Sequence, residues 1–426
     1  MPSTRTAKVR LPILIVGLAA CAWGVFSAAR EGAAQLLAGR ALLTEKASDA
    51  DGAVAYGPEV PEARYARAIL LELSKNSESV NELERAAALR PQDYALWLEL
   101  GNARDRIGDT AGAIAAFIES TKVAPFYAQP RWQLGNALFR AGRNADAVKE
   151  LRLAAESNPK LALPALALAW TALDGNVVDV ERAFTSQSPA METALARFLV
   201  KRGKIAEAMR HFRAAGGISA DEQRAMINDL LAAKNFEAAY EVWGVSRNRR
   251  LGVAEIDNGG FEESIMLDQT GFAWQLVQNR QGIQASLDPS DRRSGSYSLR
   301  VDWSGNGDTL LPIVSQLVLV EAGSRYQLRF AARGAELMML GLPMASVVDA
   351  SDAAAHSGDY RTFALASSPA LLKGTNAWQD YSVEFSTAAS TRAVIIRIHR
   401  ENCSIQPCPG FGHAWFDDFS LTKLSQ

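Results

Sequence analysis

The stretch Asn258-Gly259-Gly260-Phe261-Glu262 opens a strand-rich region that ends with Trp415-Phe416-Asp417-Asp418-Phe419-Ser420-Leu421. Two adjacent glycines permit a turn through positive φ, Phe261 supplies a core anchor directly after it, and Glu262 brings a carboxylate to the start of the first strand. Laid side by side, the first and last strands bring Glu262 to Asp417 or Asp418. Carboxylates so placed repel one another unless a cation lies between them, and hard oxygen donors from distant parts of a chain suit calcium. A plain surface turn and a solvated acid pair account for the same residues. Because Asp417 and Asp418 alternate across a strand, only one of them is expected to face a shared site.

Between these ends the apolar residues alternate. In Tyr326-Gln327-Leu328-Arg329-Phe330 they share one face, Tyr381, Val383 and Phe385 repeat the scheme, and Arg397 and His399 fall on one face of a more apolar run. Gly305-Asn306-Gly307 reads as a turn between strands. A two-sheet sandwich is the architecture this pattern predicts.

The order NGGFE, GFAWQL (271–276), SGSYSLRV (294–301), YQLRF (326–330), WQDYSVEF (378–385) and WFDDFSL resembles the galactose-binding-like jelly rolls. Within them it is most similar to carbohydrate-binding modules of families 4, 9 and 22. The resemblance implies an antiparallel β-sandwich over residues 254–426 and a structural calcium held by the opening Glu, by backbone oxygens near the SGSYS turn and by the final Asp pair. Carried onto this chain, those ligands are Glu262, Asp417 and Asp418, with carbonyls of residues 294–296.

Sugar binding needs exposed rings to stack on pyranose C–H faces, with planar hydrogen-bonding side chains beside them. The candidates are Trp274, Trp303, Tyr360 and Trp378, with Gln275, Arg329, Arg397 and His399. Trp303 alternates in phase with Leu299 and Val301, which points it into the core. Trp378 precedes a strand as a core tryptophan does in the family, and Trp274 is the best candidate for a ring platform, with a packed position in the core as the alternative. The long segment 334–374 could cover or build the binding face.

The N-terminal end is of another kind. Residues 11–29 carry no charge and follow Arg5, Lys8 and Arg10. As a helix this run spans about 28 Å, close to the hydrocarbon thickness of a bilayer. Positive charge ahead of it keeps the N-terminus cytoplasmic and sends the bulk of the chain across, to the periplasmic side of a bacterial inner membrane. A cleavable signal peptide is the alternative, with Ser27 and Ala29 before the cut; the long unbroken apolar run favours an uncleaved anchor. Residues 1–30 are thus read as cytoplasmic tip and transmembrane anchor, and 31–59 as a helix-prone linker, with residues 49–61 a Gly-, Pro- and Asp-containing break.

A repeat follows. Pro91, Pro125 and Pro159 recur at intervals of 34, as do Gly101 and Gly135, Gly108 and Gly142, and Ala113 and Ala147. Period and pattern resemble the tetratricopeptide repeat, which pairs two helices per unit. Small residues stand where the helices cross closely, and proline stops the second helix. Beyond Pro159 the pattern decays, but Gly203, Ala208, Phe212, Phe236 and Val242 restore it, so an α-solenoid is expected over residues 60–250. Its groove would receive a protein partner, or the stack would serve as a rigid spacer. The basic run Arg247-Asn248-Arg249-Arg250 reads as a solvated boundary.

The whole is therefore a multidomain α + β chain: transmembrane helix, tetratricopeptide-type α-solenoid, antiparallel β-sandwich. A formal net charge of −2 argues against nucleic acid as a partner. Cys403 and Cys408 flank a short loop and suit a disulfide in an oxidising compartment. The four histidines lack metal-ligand spacing, and neither a phosphate loop nor a nucleophile elbow is present, so no enzyme is expected. The expected role is a non-catalytic envelope protein in exopolysaccharide or surface-glycan assembly, its repeats docking a protein and its β module binding or lying near a polysaccharide. The alternatives are a pure assembly scaffold without sugar affinity, and an exported glycan hydrolase.

Overall fold

A computed structural model describes residues 5–71, 76–185, 188–245, 252–265, 271–276, 282–307, 312–352, 364–401, 403 and 408–425. The chain forms two compact units, Met1–Phe198 and Leu199–Gln426.

The first unit is helical. Helix α1 (Arg5–Thr44) contains the apolar run and continues 15 residues past Ala29 before it ends. Its far half buries Ala34, Ala38 and Ala41 against Ala50 and Ala53 of α2 (Ala47–Tyr56) and Ala63 and Ala66 of α3 (Pro61–Leu71). The break expected at residues 49–61 is therefore helix as far as Tyr56. Alanines permit that close approach, and with such small side chains in contact the helical segment cannot behave as a loose linker.

The repeats follow as helix pairs: α3 with α4 (Asn76–Leu89), α5 (Tyr94–Arg106) with α6 (Thr110–Val123), α7 (Ala128–Arg140) with α8 (Asn144–Ser157), and α9 (Ala162–Ala172) with α10 (Val177–Phe184). Gly101 and Gly135 lie at the crossings. A Cβ on Gly135 would come 2.8 Å from Leu151 Cγ, and one on Gly101 would enter the Phe117 ring. The turn glycines Gly108 (φ +82) and Gly142 (φ +72) adopt a backbone that side chains disfavour. Asp109 caps α6 by accepting from Gly112 N at 2.9 Å.

The second unit joins helices to sheets. Helix α11 (Pro189–Lys201) runs across the division at Leu199, and α12 (Ile205–Ala214), α13 (Ala220–Ala232) and α14 (Phe236–Gly244) follow in the second unit. The strands are β1 (Gln275–Leu276), β2 (Ile283–Asp288), β3 (Ser298–Gly307), β4 (Val314–Leu319), β5 (Arg325–Met339), β6 (Pro343–Asp349), β7 (Ala364–Ser367), β8 (Gln379–Ser386), β9 (Ala393–Arg400) and β10 (Cys408–Leu424). They form two five-stranded antiparallel sheets, β1-β4-β9-β6-β7 and β2-β3-β10-β5-β8. Val314, Val318, Val347, Ile396 and Ile398 of the first face Leu299, Val301, Tyr326, Leu328, Phe330 and Phe416 of the second. Trp303 is in this core too, as its phase predicts. The expected turn Gly305-Asn306-Gly307 is instead the end of β3, where these residues pair with Gly410, Pro409 and Cys408.

The glycine crossings yield a paired test. Gly101→Val is expected to destabilise the helical unit by more than about 2 kcal/mol, because the added branch must displace the Phe117 ring. Gly39→Ala, with open space at that Cβ, should gain about 0.5–1 kcal/mol. Urea unfolding in detergent, followed at the helical circular-dichroism band, reads both.

Candidate functional site

The carboxylates predicted to share a calcium all reach one turn, residues 293–297, just ahead of β3. Glu262 accepts from Ser296 N at 2.8 and 3.0 Å. Asp417, fully buried, accepts from Arg293 N at 3.0 Å, Ser294 N at 3.1 Å and Asp418 N at 2.7 Å. The Ser294 hydroxyl donates to Asp418 at 2.6 Å. Both acids of the pair thus reach the same turn, against the expectation that only one could. The reason is a bulge: the β10–β5 register shifts between Asp417 and Ser420, and Asp418 adopts φ +55, so strict alternation ends at this point.

Burial pushes the Asp417 carboxyl above the usual carboxylate range, outweighing the three amides that pull it down. Among the described residues no basic side chain pairs with Glu262, Asp417 or Asp418; Arg293 beside them pairs with Asp380 at 3.4 Å. Glu262 and Asp417 approach over Gly260, where a Cβ would lie 3.8 Å from Asp417 Oδ1 and 4.0 Å from Glu262 Oε1. No group of three acidic, histidine or cysteine side chains among the described residues is placed to share an ion. A cation here would therefore draw on two carboxylates plus backbone carbonyls. The Gly295 carbonyl already accepts from Arg292 Nε at 2.9 Å.

The sugar candidates separate. Trp274 is a core residue, 2 % exposed, with its ring 5.1 Å from Phe261 and 5.2 Å from Phe419 and its Nε1 donating to Asn258 O at 3.0 Å. Of its two readings the packed one holds, and Trp274 is not a ring platform: it ties the opening turn to the last strand. Arg329 is exposed on the second sheet and donates to Gln327. Trp378 donates to Asp291 at 3.2 Å, and Tyr360 lies outside the described residues, as do Arg247 to Arg250.

Gln275, Arg397 and His399 do share a surface, the outer face of the first sheet. The pairings set Gln275, Ser315, Arg397, Ser346 and Ser367 in one row across five strands. Arg397 Nε donates to Ser346 Oγ at 2.6 Å, but Arg397 is fully buried and His399 is 6 % exposed. Among the described strand residues of this face there is no tryptophan, tyrosine or phenylalanine.

The rest of the face is aliphatic and covered. Leu317, Leu319, Ala393, Ile395 and Ala350 pack with Phe236 of α14 and Leu231 of α13. Lys234 Nζ donates to Ser351 O at 2.7 Å, and Phe272 stacks edge-on to Tyr240 at 4.9 Å and packs on Trp243 at 5.7 Å. Sequence reasoning missed this cover because helix and strands lie some 80 to 160 positions apart. The signal available was that Leu317, Leu319 and Ile395 occupy the phase opposite to the core residues.

On the opposite sheet, Trp415 lies between the guanidinium groups of Arg300 (5.3 Å) and Arg333 (5.1 Å) and donates to Asp288 at 2.9 Å. Arg333 pairs with Asp291 at 2.7 Å and Arg300 with Asp302 at 2.8 Å, so these charges are satisfied internally. Cys403 and Cys408 form a disulfide, with Cα atoms 5.9 Å apart.

Comparison with known proteins follows this division. A carbohydrate binding domain family matches residues 253–406, and the tetratricopeptide repeat matches residues 69–120 and 98–162. Over 60 residues the chain is 38% identical to protein FlbA of Caulobacter vibrioides; the match spans 14% of this chain and only 10% of that protein's length. Among solved structures, a MamA protein is similar at 14% identity, over 45% of this chain and 91% of that one, with a TM-score of 0.32. The PilF protein of Pseudomonas aeruginosa is similar at 14% identity, over 52% and 93%, with a TM-score of 0.31. A family 4 carbohydrate-binding module is similar at 15% identity, over 40% and 100%, with a TM-score of 0.28. The chain thus joins tetratricopeptide repeats to a jelly roll of the carbohydrate-binding-module type.

Proposed function

We propose that this chain is a membrane-anchored, non-catalytic assembly scaffold of the bacterial envelope. In this reading α1 crosses the inner membrane with its N-terminus cytoplasmic, the repeats dock a protein partner in the periplasm, and the jelly roll is a structural body without sugar affinity of its own. The observation that carries it is Phe236 seated with Leu231 on the aliphatic outer face of the first sheet. A sugar face must be open and must offer rings, and the aliphatic part of this one is occupied by the chain's own helices.

A second reading, glycan binding within exopolysaccharide or surface-glycan assembly, draws on the polar row through Gln275 and Arg397. Electrophoresis of the full chain through gels cast with bacterial polysaccharides separates the two. The scaffold reading expects migration equal to that of a non-binding control in every gel. Retardation that is lost in Gln275→Ala would contradict it and favour glycan binding.

Calcium is part of the proposal. Glu262 and Asp417 would hold it, and its charge would compensate a buried carboxylate that has no basic partner among the described residues. The pH dependence has a definite sign. Asp417 is raised in the fold, so without a cation the folded state loses stability as pH climbs through the folded value, above about 3.9. A bound cation favours the ionised form and reverses that trend. Adding calcium to chelator-treated protein should therefore raise the melting temperature at pH 7.5 and raise it less toward pH 5. Glu262→Gln should remove most of the difference. Identical melting curves with and without calcium at pH 7.5 would refute the assignment.

A further inference from the structure

The long helix α1 does not stop where its apolar run stops. Arg30 and Glu31 are the first charges after residues 11–29, and the helix continues through them to Thr44. Arg30 turns toward the second helix: its Nε and an Nη donate to Tyr56 O at 3.1 and 2.9 Å, and its guanidinium lies 5.8 Å from the Phe26 ring centroid. One turn further on, Ala34 meets Gly57, where an added Cβ would come 2.6 Å from Ala34 Cβ. Helix α2 therefore runs back alongside α1 and returns the chain to the level of Arg30.

We infer that the turn between α2 and α3 lies in the phospholipid headgroup layer, so that the first helices of the stack contact the bilayer directly. The inference rests on the reading of α1 as a membrane anchor and adds to it a lipid-facing surface. An arginine at the end of an apolar span places its charge among phosphates while its stem stays with hydrocarbon. Whatever is bonded to that guanidinium shares its depth. Tyr56, 53 % exposed beside it, is a residue type enriched at this interface. The packing of Ala34, Ala38 and Ala41 into α2 and α3 makes the connection stiff, because a hinge at residues 30–44 would have to open that alanine contact.

Leu43 provides the internal ruler. It is 88 % exposed on the same helix and lies about 20 Å beyond Arg30, at ~1.5 Å per residue. The full chain, carrying Cys21→Ser to remove the free thiol, is labelled with a fluorophore at Tyr56→Cys or at Leu43→Cys. Each is placed in phosphatidylcholine–phosphatidylglycerol nanodiscs that contain a headgroup-attached nitroxide quencher. The expected result is loss of most of the emission at position 56 and none at 43. Discs that retain the protein through alkaline carbonate while position 56 stays bright would overturn the inference and leave the anchor standing. Equal quenching at both positions would also overturn it, since the helix would then lie along the surface. An intact mass showing a chain that begins at Arg30 would remove the anchor reading itself, and this inference with it.

Discussion

Aliphatic surface exposed to water has to be covered, and in the second unit that constraint sets the arrangement. Leu317, Leu319, Ile395, Ala393 and Ala350 form a continuous patch on the outer face of a sheet whose inner face is already the sandwich core. Phe236 and Leu231 cover it. Burying a phenylalanine contributes about 1.5–3 kcal/mol, and the Phe272, Tyr240 and Trp243 contacts extend the same seam. The helices after Leu199 and the jelly roll are consequently one compact unit, although the sequence motifs for repeats and strands meet near residue 250.

The same unit carries a second constraint, around the last strand of the second sheet. The bulge at Asp417 and Asp418 turns both acids toward the turn at residues 293–297, and Trp274 with Phe261 and Phe419 locks the opening segment against β10. The aromatic cluster and the carboxylate-bound amides together join three distant parts of the chain. This arrangement accounts for the jelly-roll motifs at residues 258–262 and 415–421 in structural terms, as the clasp of the sandwich.

Local patterns were legible in the sequence. The 34-residue period, the crossing glycines Gly101 and Gly135, the inward phase of Trp303 and the alternation of β5 and β8 depend on neighbours a few residues away. The fold class followed from them. What depended on distant pairing was harder to read. Trp274 reads as either a platform or a packed ring until Phe261 and Phe419 are brought around it. Asp417 and Asp418 look like opposite faces of a strand until the bulge places Asp418 at positive φ. Alternation sets Arg397 and His399 on one face of β9, but it reveals neither that pairing through Ser315 brings Gln275 into the row of Arg397 nor that helices cover the aliphatic part of that surface. Nor does it reveal the burial of Arg397 and His399.

Hydrogen exchange on the full chain tests the joined unit most directly. If α14 and the first sheet open together, amides of Ala239 and Val242 in α14 and of Ile395 and Ile396 in β9 should exchange with a common opening free energy. They should also lose protection together as denaturant rises. Exchange of the α14 amides orders of magnitude faster, with β9 still protected, would mean that the helices do not hold the face and that it is free for a ligand.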